Sequence, residues 1–442
     1  MTRQWLKSSS ACVALLLGAA SASSALADGT KFSVLYTFEV ADPTTGVSQL
    51  GSQPDTRPVL GPGHSVYGMT YTGGANGNGV IYRFDLRLRK YTVLHTFGAL
   101  DADGANDDGA NPGVALTRGT DDVFYGMASY GGANGNGTIF KITASGKFTL
   151  LHTFSALDSN ARNEDGANPL RAVVIGPDGS LYGTTRLGGQ YTCGVTPFMN
   201  SCGVAWMMDR WGSFSVIHQF KPSEGHAASL LQARDGFFYG CAVWPVPTLG
   251  SGILYRMAPS GQHFEVLFRF SAVDANGSNA DGANCYEPLV ETRWGVFYGA
   301  AYAGGPNGNG TVFRYSLANP SAVEIVHAFS ATNAAGENSD GANPYARLTR
   351  GSDGELYSTA SYGGAAGNGV VYRIHHDNFE VLHTFSAVDP TTGSNIDGAD
   401  PDYGVLFDED DDSLIGMADY GGNGSVAGDT GNGTLYRLKL HH

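Results

Sequence analysis

A handful of side chains able to do chemistry stand outside any repeat in this sequence: Arg171, Arg186, His226, Trp244, Tyr286 and Glu287, with Arg57 before them and Tyr345 and Arg347 after them. Arginine grips a carboxylate through two parallel N–H donors, and a tryptophan face stacks on an apolar ring face. A histidine or tyrosine next to a cation can also remove a proton while the arginine stabilises a carboxylate or enolate. Two chemistries fit. One is recognition of a sugar or a peptide, with Arg186, Trp244, Tyr345 and Arg347 as ligand contacts. The other is a polysaccharide lyase or lactone hydrolase, with His226, Tyr286, Arg171 and Glu287 as catalytic candidates. A metal-dependent lactonase needs two or three inward carboxylates, and only Glu287 and Asp402 are expected near an axis. The sequence carries no nucleotide loop, hydrolase elbow or zinc signature.

These residues are positioned by a repeat. Its clearest copy is Phe124–Phe140, which reads as strand, glycine hairpin, strand. The aromatic that opens the hairpin recurs as Tyr67, Tyr125, Tyr182, Tyr239, Tyr298 and Tyr357, with Ile415 last, at steps of 57 to 59 residues. A fixed period of this kind marks a solenoid, a propeller or an array. Each unit holds four short β segments, which makes it the blade of a β-propeller. The seventh unit stops at Leu440 without its fourth strand, and Phe32–Phe38 supplies one at the other terminus. The expected fold is a seven-bladed β-propeller closed by strand 32–38 joining the C-terminal blade, with no free sheet edge. Residues 28–442 then form a single domain.

Departures from the repeat bring the non-repeating residues together. Most units use 15 or 16 residues from the end of the outer strand to the next blade, whereas Phe220 to His226 is six. The hairpins of blades three and four are irregular instead: blade three inserts Gln190–Cys202, and blade four has Trp244-Pro-Val-Pro247 in place of Gly-Gly. A short loop beside two long hairpins predicts a notch on that face, the default place for binding.

Repetition also marks structural residues. His95, His152, His218, His327 and His383 occupy one position in five blades, and their ring nitrogens are expected to bond to neighbouring strands. Asp108-Gly-Ala-Asn-Pro112 and its copies precede most first strands and read as turns. A second reading is calcium, with Asp158, Asp165, Asp274 and Asp281 as candidate ligands, because an upstream acid adds oxygens to each loop. Otherwise no cofactor is expected.

Residues 1–27 read as a secretory leader: basic Arg3 and Lys7, an apolar run over 11–20, and Ala25-Leu26-Ala27 for cleavage. Removing them leaves 24 basic residues against 41 acidic ones, a net charge of −17 that argues against nucleic acid and anionic membranes. No later run is long enough to span a bilayer. A secreted or periplasmic monomer is expected. Four cysteines follow the leader; we expect Cys193–Cys202 to staple one loop and Cys241–Cys285 to join neighbouring blades.

The motifs Leu181-Tyr-Gly-Thr-Thr185, Gly304-Gly305 and Gly308-Asn-Gly-Thr-Val-Phe313 resemble the bacterial secreted tandem-repeat family called GloVer repeats, over nearly the whole mature chain. The resemblance implies an exported propeller, often with a separate surface anchor, and transfers no catalytic residue. The Asp178-Gly179, Asp235-Gly236 and Asp353-Gly354 turns also look like those of lactonase-type and streptogramin-lyase-type propellers, a weak likeness. The preferred reading is a secreted propeller that binds an extracellular glycan or protein on the hairpin face.

Overall fold

The computed structural model describes residues 30–440 apart from 43, 170, 194–200, 244–250 and 423–432. It is all-β, with seven antiparallel blade sheets around an axis and a two-stranded pairing of Ser48–Ser52 with Thr72–Gly74. In blade one the order from axis to rim is Val59–Gly61, Ser65–Thr70, Val80–Asp85, Lys90–Thr96. The first strand is short because it faces the crowded axis. The middle strands are buried on both faces, and the blades pack through rows of aromatic and aliphatic side chains. The repeated Tyr-Gly pair has a steric cause. Gly126 lies opposite Phe140, and a Cβ there would sit 2.6 Å from that ring. Gly183 makes the same room for Trp206, and Gly416 for Tyr436.

Blade seven takes its outer strand from the N-terminal segment: Lys31–Thr37 pairs antiparallel with Thr434–Lys439. The imitation extends to a local irregularity. Every outer strand carries a β-bulge, at Leu94, Leu151, Ile217, Leu267, Val326 and Leu382 in blades one to six. Leu35 is the equivalent residue in blade seven.

The repeated histidines clamp five of the seven junctions. His95 Nε2 lies 2.9 Å from Asp108 Oδ2, and its ring stacks on Phe148 of the next blade at 4.1 Å. His152 uses Asp165 and Phe214, His327 uses Asp340 and Phe379, and His383 uses Asp397 and Phe32. The expectation of bonds to neighbouring strands is therefore corrected: the partner is the aspartate of the Asp-Gly-Ala-Asn loop, and the neighbouring strand supplies the stacked ring. Where that loop is cut to six residues, Glu224 replaces the aspartate, 2.9 Å from His218. Tyr36 on Tyr91 closes the seam between blades seven and one, stacked at 4.4 Å.

The same contacts account for the residues read as calcium ligands. Asp165 accepts from His152 and Ser155, and Asp281 from Ser271. Asp158 accepts the amides of Asn160 and Arg162, and Asp274 those of Asn276 and Ser278. These carboxylates organise turns, the first of the two readings of the loops.

Cys193–Cys202 and Cys241–Cys285 are both disulfides, as expected. Cys285 stands where other units have proline, so the bond ties the second strand of blade four to the entrance of blade five. Among the described residues no helix is long and apolar enough to cross a membrane.

Candidate functional site

The entry segments of the blades and the ends of their second strands supply side chains that line a cavity of about 360 Å³. Blade three contributes Arg171 and Arg186, blade four His226, Ala227, Ala228 and Val243, and blade five Tyr286 and Tyr302. Tyr345 and Tyr362 come from blade six and Asp402 from blade seven. The cavity thus includes the predicted sector beside the shortened loop and extends past it to blade seven.

Arg171 crosses the axis. Its Nε donates to the Tyr286 carbonyl at 3.1 Å and lies 3.2 Å from Glu287 Oε1; its Nη2 donates to the Tyr345 hydroxyl at 3.0 Å. Its guanidinium also lies 5.5 Å from the centre of the Tyr345 ring. Burial would lower its pKa, but Tyr345 and Glu287 outweigh that and raise it, so it stays cationic. Burial raises Tyr286 and Tyr345 as well, so both phenols stay protonated.

His226 lines the same cavity and is 3% exposed. Its Nδ1 lies 3.4 Å from the Arg186 carbonyl oxygen. A carbonyl only accepts, so Nδ1 carries the proton and Nε2 is the basic nitrogen. That Nε2 is buried without a hydrogen-bond partner. Burial lowers the pKa of His226, with the Arg186 charge acting the same way, so the ring is neutral at pH 7.

A smaller cavity of about 30 Å³ shares Arg171 with it and is lined by Arg57, Glu287, Arg347 and Tyr403 among others. Burial, followed by the like charge of Arg347, lowers Arg57 to about 9. Arg57 donates to the Thr349 hydroxyl at 3.1 Å. Arg347 and Glu287 therefore line the smaller cavity, while Arg171, Arg186, His226, Tyr286 and Tyr345 line the larger one. Trp244 lies outside the described residues.

Three axial carboxylates were missed in the sequence. Asp55, Asp400 and Asp419 join Asp402 at the meeting of blades seven and one, against the expectation that only Glu287 and Asp402 are inward acids. Tyr302 and Tyr362 were also passed over. The available signal was comparison of the units at their variable positions: Asp400 replaces the asparagine of the Asp-Gly-Ala-Asn loop, and Asp419 stands where other blades have Tyr71, Ser129, Arg186, Val243, Tyr302 or Ser361.

Solved structures with the same architecture include an oligogalacturonate lyase in complex with manganese, with 13% identity, a TM-score of 0.50, and coverage of 93% of this chain and 98% of that one. An oligogalacturonate lyase from Vibrio parahaemolyticus matches equally, over 93% and 97%. A GH74 xyloglucanase from Xanthomonas campestris gives 13% identity and a TM-score of 0.51, covering 88% of this chain and 52% of that one. At such identity they share the fold with this chain and nothing finer. Among curated proteins none matches this sequence. The model of the Gloeobacter/Verrucomicrobia repeat matches residues 16–197 and again 197–394, most of the chain, and the protein belongs to that repeat family.

Proposed function

We propose that this propeller is exported and binds an acidic unit of an extracellular glycan in the channel-mouth pocket. The observation that supports it is one concavity in which Arg171, Arg186 and neutral His226 meet the rings of Tyr286, Tyr302, Tyr345 and Tyr362. Guanidinium groups recognise a carboxylate, phenol rings cover the faces of a sugar, and phenol hydroxyls bond its hydroxyls. A narrow hollow suits a protruding sugar better than the flat surface of a folded protein. The two disulfides fit an oxidising compartment, in line with the leader read at residues 1–27. The test is calorimetric titration with oligomers of galacturonate, glucuronate and mannuronate, and with neutral oligosaccharides of equal length. Saturable binding of one acidic series, weaker with the neutral ones, is expected. Equal or absent binding across all series overturns the reading.

A second reading is favoured by one specific feature, the unpartnered Nε2 of His226. A neutral imidazole base beside two arginines is what removal of the proton next to a uronate carboxylate requires. Here His226 takes the proton, Arg171 and Arg186 hold the enolate-like carboxylate, and a glycosidic oxygen leaves. Ultraviolet absorbance of the unsaturated product, followed in the same samples, separates cleavage from binding alone.

A further inference from the structure

The smaller cavity is unexplained by what the larger one binds. Its wall brings together the entry segments of blades one, two, three, five, six and seven. Each entry opens on a proline, or on Cys285 in blade five, and the third residue after it shows a contrast. That residue is Ala115, Ala172, Pro288 and Gly404 in blades two, three, five and seven, but Arg57 and Arg347 in blades one and six. Both arginines line the cavity beside Ala115, Ala172 and Pro288. Two blades therefore put a long cation where their sisters put a small or uncharged residue.

The charges in this wall do not balance. Arg57, Arg171 and Arg347 are three cations, Glu287 is the one carboxylate, and burial keeps the phenol of Tyr403 protonated, which leaves +2. Glu287 Oε1 lies 3.2 Å from Arg171 Nε. Among the described residues neither Arg57 nor Arg347 forms an ion pair. Arg57 Nη1 donates to the Thr349 hydroxyl, a neutral acceptor that passes its own proton to the Val405 carbonyl. Arg347 Nε is shielded from solvent and has no hydrogen-bond partner. A guanidinium N–H can only donate, so this atom lacks an acceptor. The two cations also feel each other: burial, then the charge of Arg347, lowers Arg57, and burial lowers Arg347, while Glu287 acts the other way on both. Shielded cations without counter-charge are costly, and an anion between them relieves the cost.

We propose that Arg57 and Arg347 hold one small inorganic anion of the halide class, with chloride as the preferred ion, in the smaller cavity. About 30 Å³ admits a single ion of that size, whereas a sugar unit needs a space like the larger cavity. A singly charged ion also loses less on dehydration than a doubly charged oxyanion does. It would supply the acceptor that Arg347 Nε lacks and screen the repulsion between the entries of blades one and six. This inference does not depend on what the larger cavity binds.

The experiment is thermal unfolding of the full chain at pH 7 while sodium isethionate is replaced stepwise by sodium chloride or bromide at constant ionic strength. Isethionate is too large for the cavity, so a general salt effect cancels. A saturable rise in Tm of about 2 °C or more is expected with either halide. Arg347→Ala and Arg57→Ala install the residue of blades two and three and remove one of the two opposed charges, so both should fold, and both should lose the halide response. Crystals of the parent soaked in bromide provide a readout that no variant's folding affects: an anomalous peak at Arg347 Nε is expected. No rise with chloride or bromide overturns the proposal. So does a rise of equal size in both variants, or a bromide peak elsewhere with none between Arg57 and Arg347. Loss of oligouronate affinity in Arg347→Ala, with no halide response in the parent, also overturns it and assigns the cation to the ligand of the larger cavity.

Discussion

At the rim of this propeller six of the seven blade junctions repeat one aromatic stack; at the channel mouth the side chains change from blade to blade. Both regions hold histidines, carboxylates and aromatic rings. At the rim each repeated histidine meets a carboxylate and a stacked ring, as His383 meets Asp397 and Phe32. At the mouth His226 Nε2, Asp400 Oδ1 and Asp419 Oδ1 are buried without a hydrogen-bond partner. Residue type therefore does not separate the two regions, whereas repetition does: the rim contacts recur from blade to blade and the side chains at the mouth do not.

The largest effect should come from removing the rim contact that closes the ring. A chain lacking residues 28–38 loses the strand paired with Thr434–Lys439 and exposes an edge of blade seven. Insoluble product, or a cooperative transition lost from the calorimetric scan, is expected. Normal unfolding of that chain would break the closure.

His383→Ala is next. The ring is buried between Asp397 and Phe32, and truncation leaves a carboxylate 5% exposed with only its Ser386 contacts, at a cost of about 2–4 kcal/mol. Chemical denaturation should show this, while glycan binding at the mouth stays intact. Acid titration probes the same clamps. At Asp165 and Asp340 burial acts upward, but hydrogen bonds from His152 and Ser155, and from His327 and Ser330, outweigh it, so both lie below the ordinary 3.8. A depressed carboxylate contributes stability above its unfolded value, and this is lost as pH falls through the folded one. Stability should therefore decline below about pH 4, and Asp165→Asn should flatten that decline.

The contrast also explains what could be read in advance. Blade number, four strands per blade and closure by Phe32–Phe38 were legible because each signal recurs seven times and only the terminal strand is out of place. Both cysteine pairs followed from where the strands must lie. The mouth was legible only in part. Arg186 and His226 stand next to visible breaks in the pattern. Asp400 sits inside a copy of the motif, Asp-Gly-Ala-Asp-Pro, and differs from asparagine by one atom group. Its importance depends on burial and on Asp55, 345 residues away, which no local pattern reveals. Glu224 escaped notice for the opposite reason: it preserves the clamp in a loop of different length.

Arg186→Ala should then destabilise the fold less than His383→Ala does, because Arg186 is only half-buried. Affinity for an acidic oligosaccharide should fall roughly 10–100-fold, the worth of a charge-assisted hydrogen bond of about 1.5–3 kcal/mol. Equal loss of affinity in His383→Ala would erase the distinction between rim and mouth.

The smallest effect on binding is expected at His226, and it is the most discriminating. Glutamine matches the ring in length and can still donate to the Arg186 carbonyl, so the fold should be spared. What it cannot supply is a basic nitrogen at the Nε2 position. For a binding pocket this removes one neutral hydrogen-bond acceptor, worth about 1 kcal/mol, and affinity should drop about fivefold. For elimination it removes the base, and rate should fall by roughly a hundredfold or more. The parent should show binding with no unsaturated product, and His226→Gln only the fivefold loss. If the parent does form product, the pH–rate profile must carry an ionisation below the ordinary histidine value, because burial depresses His226, and that limb must vanish in the glutamine variant.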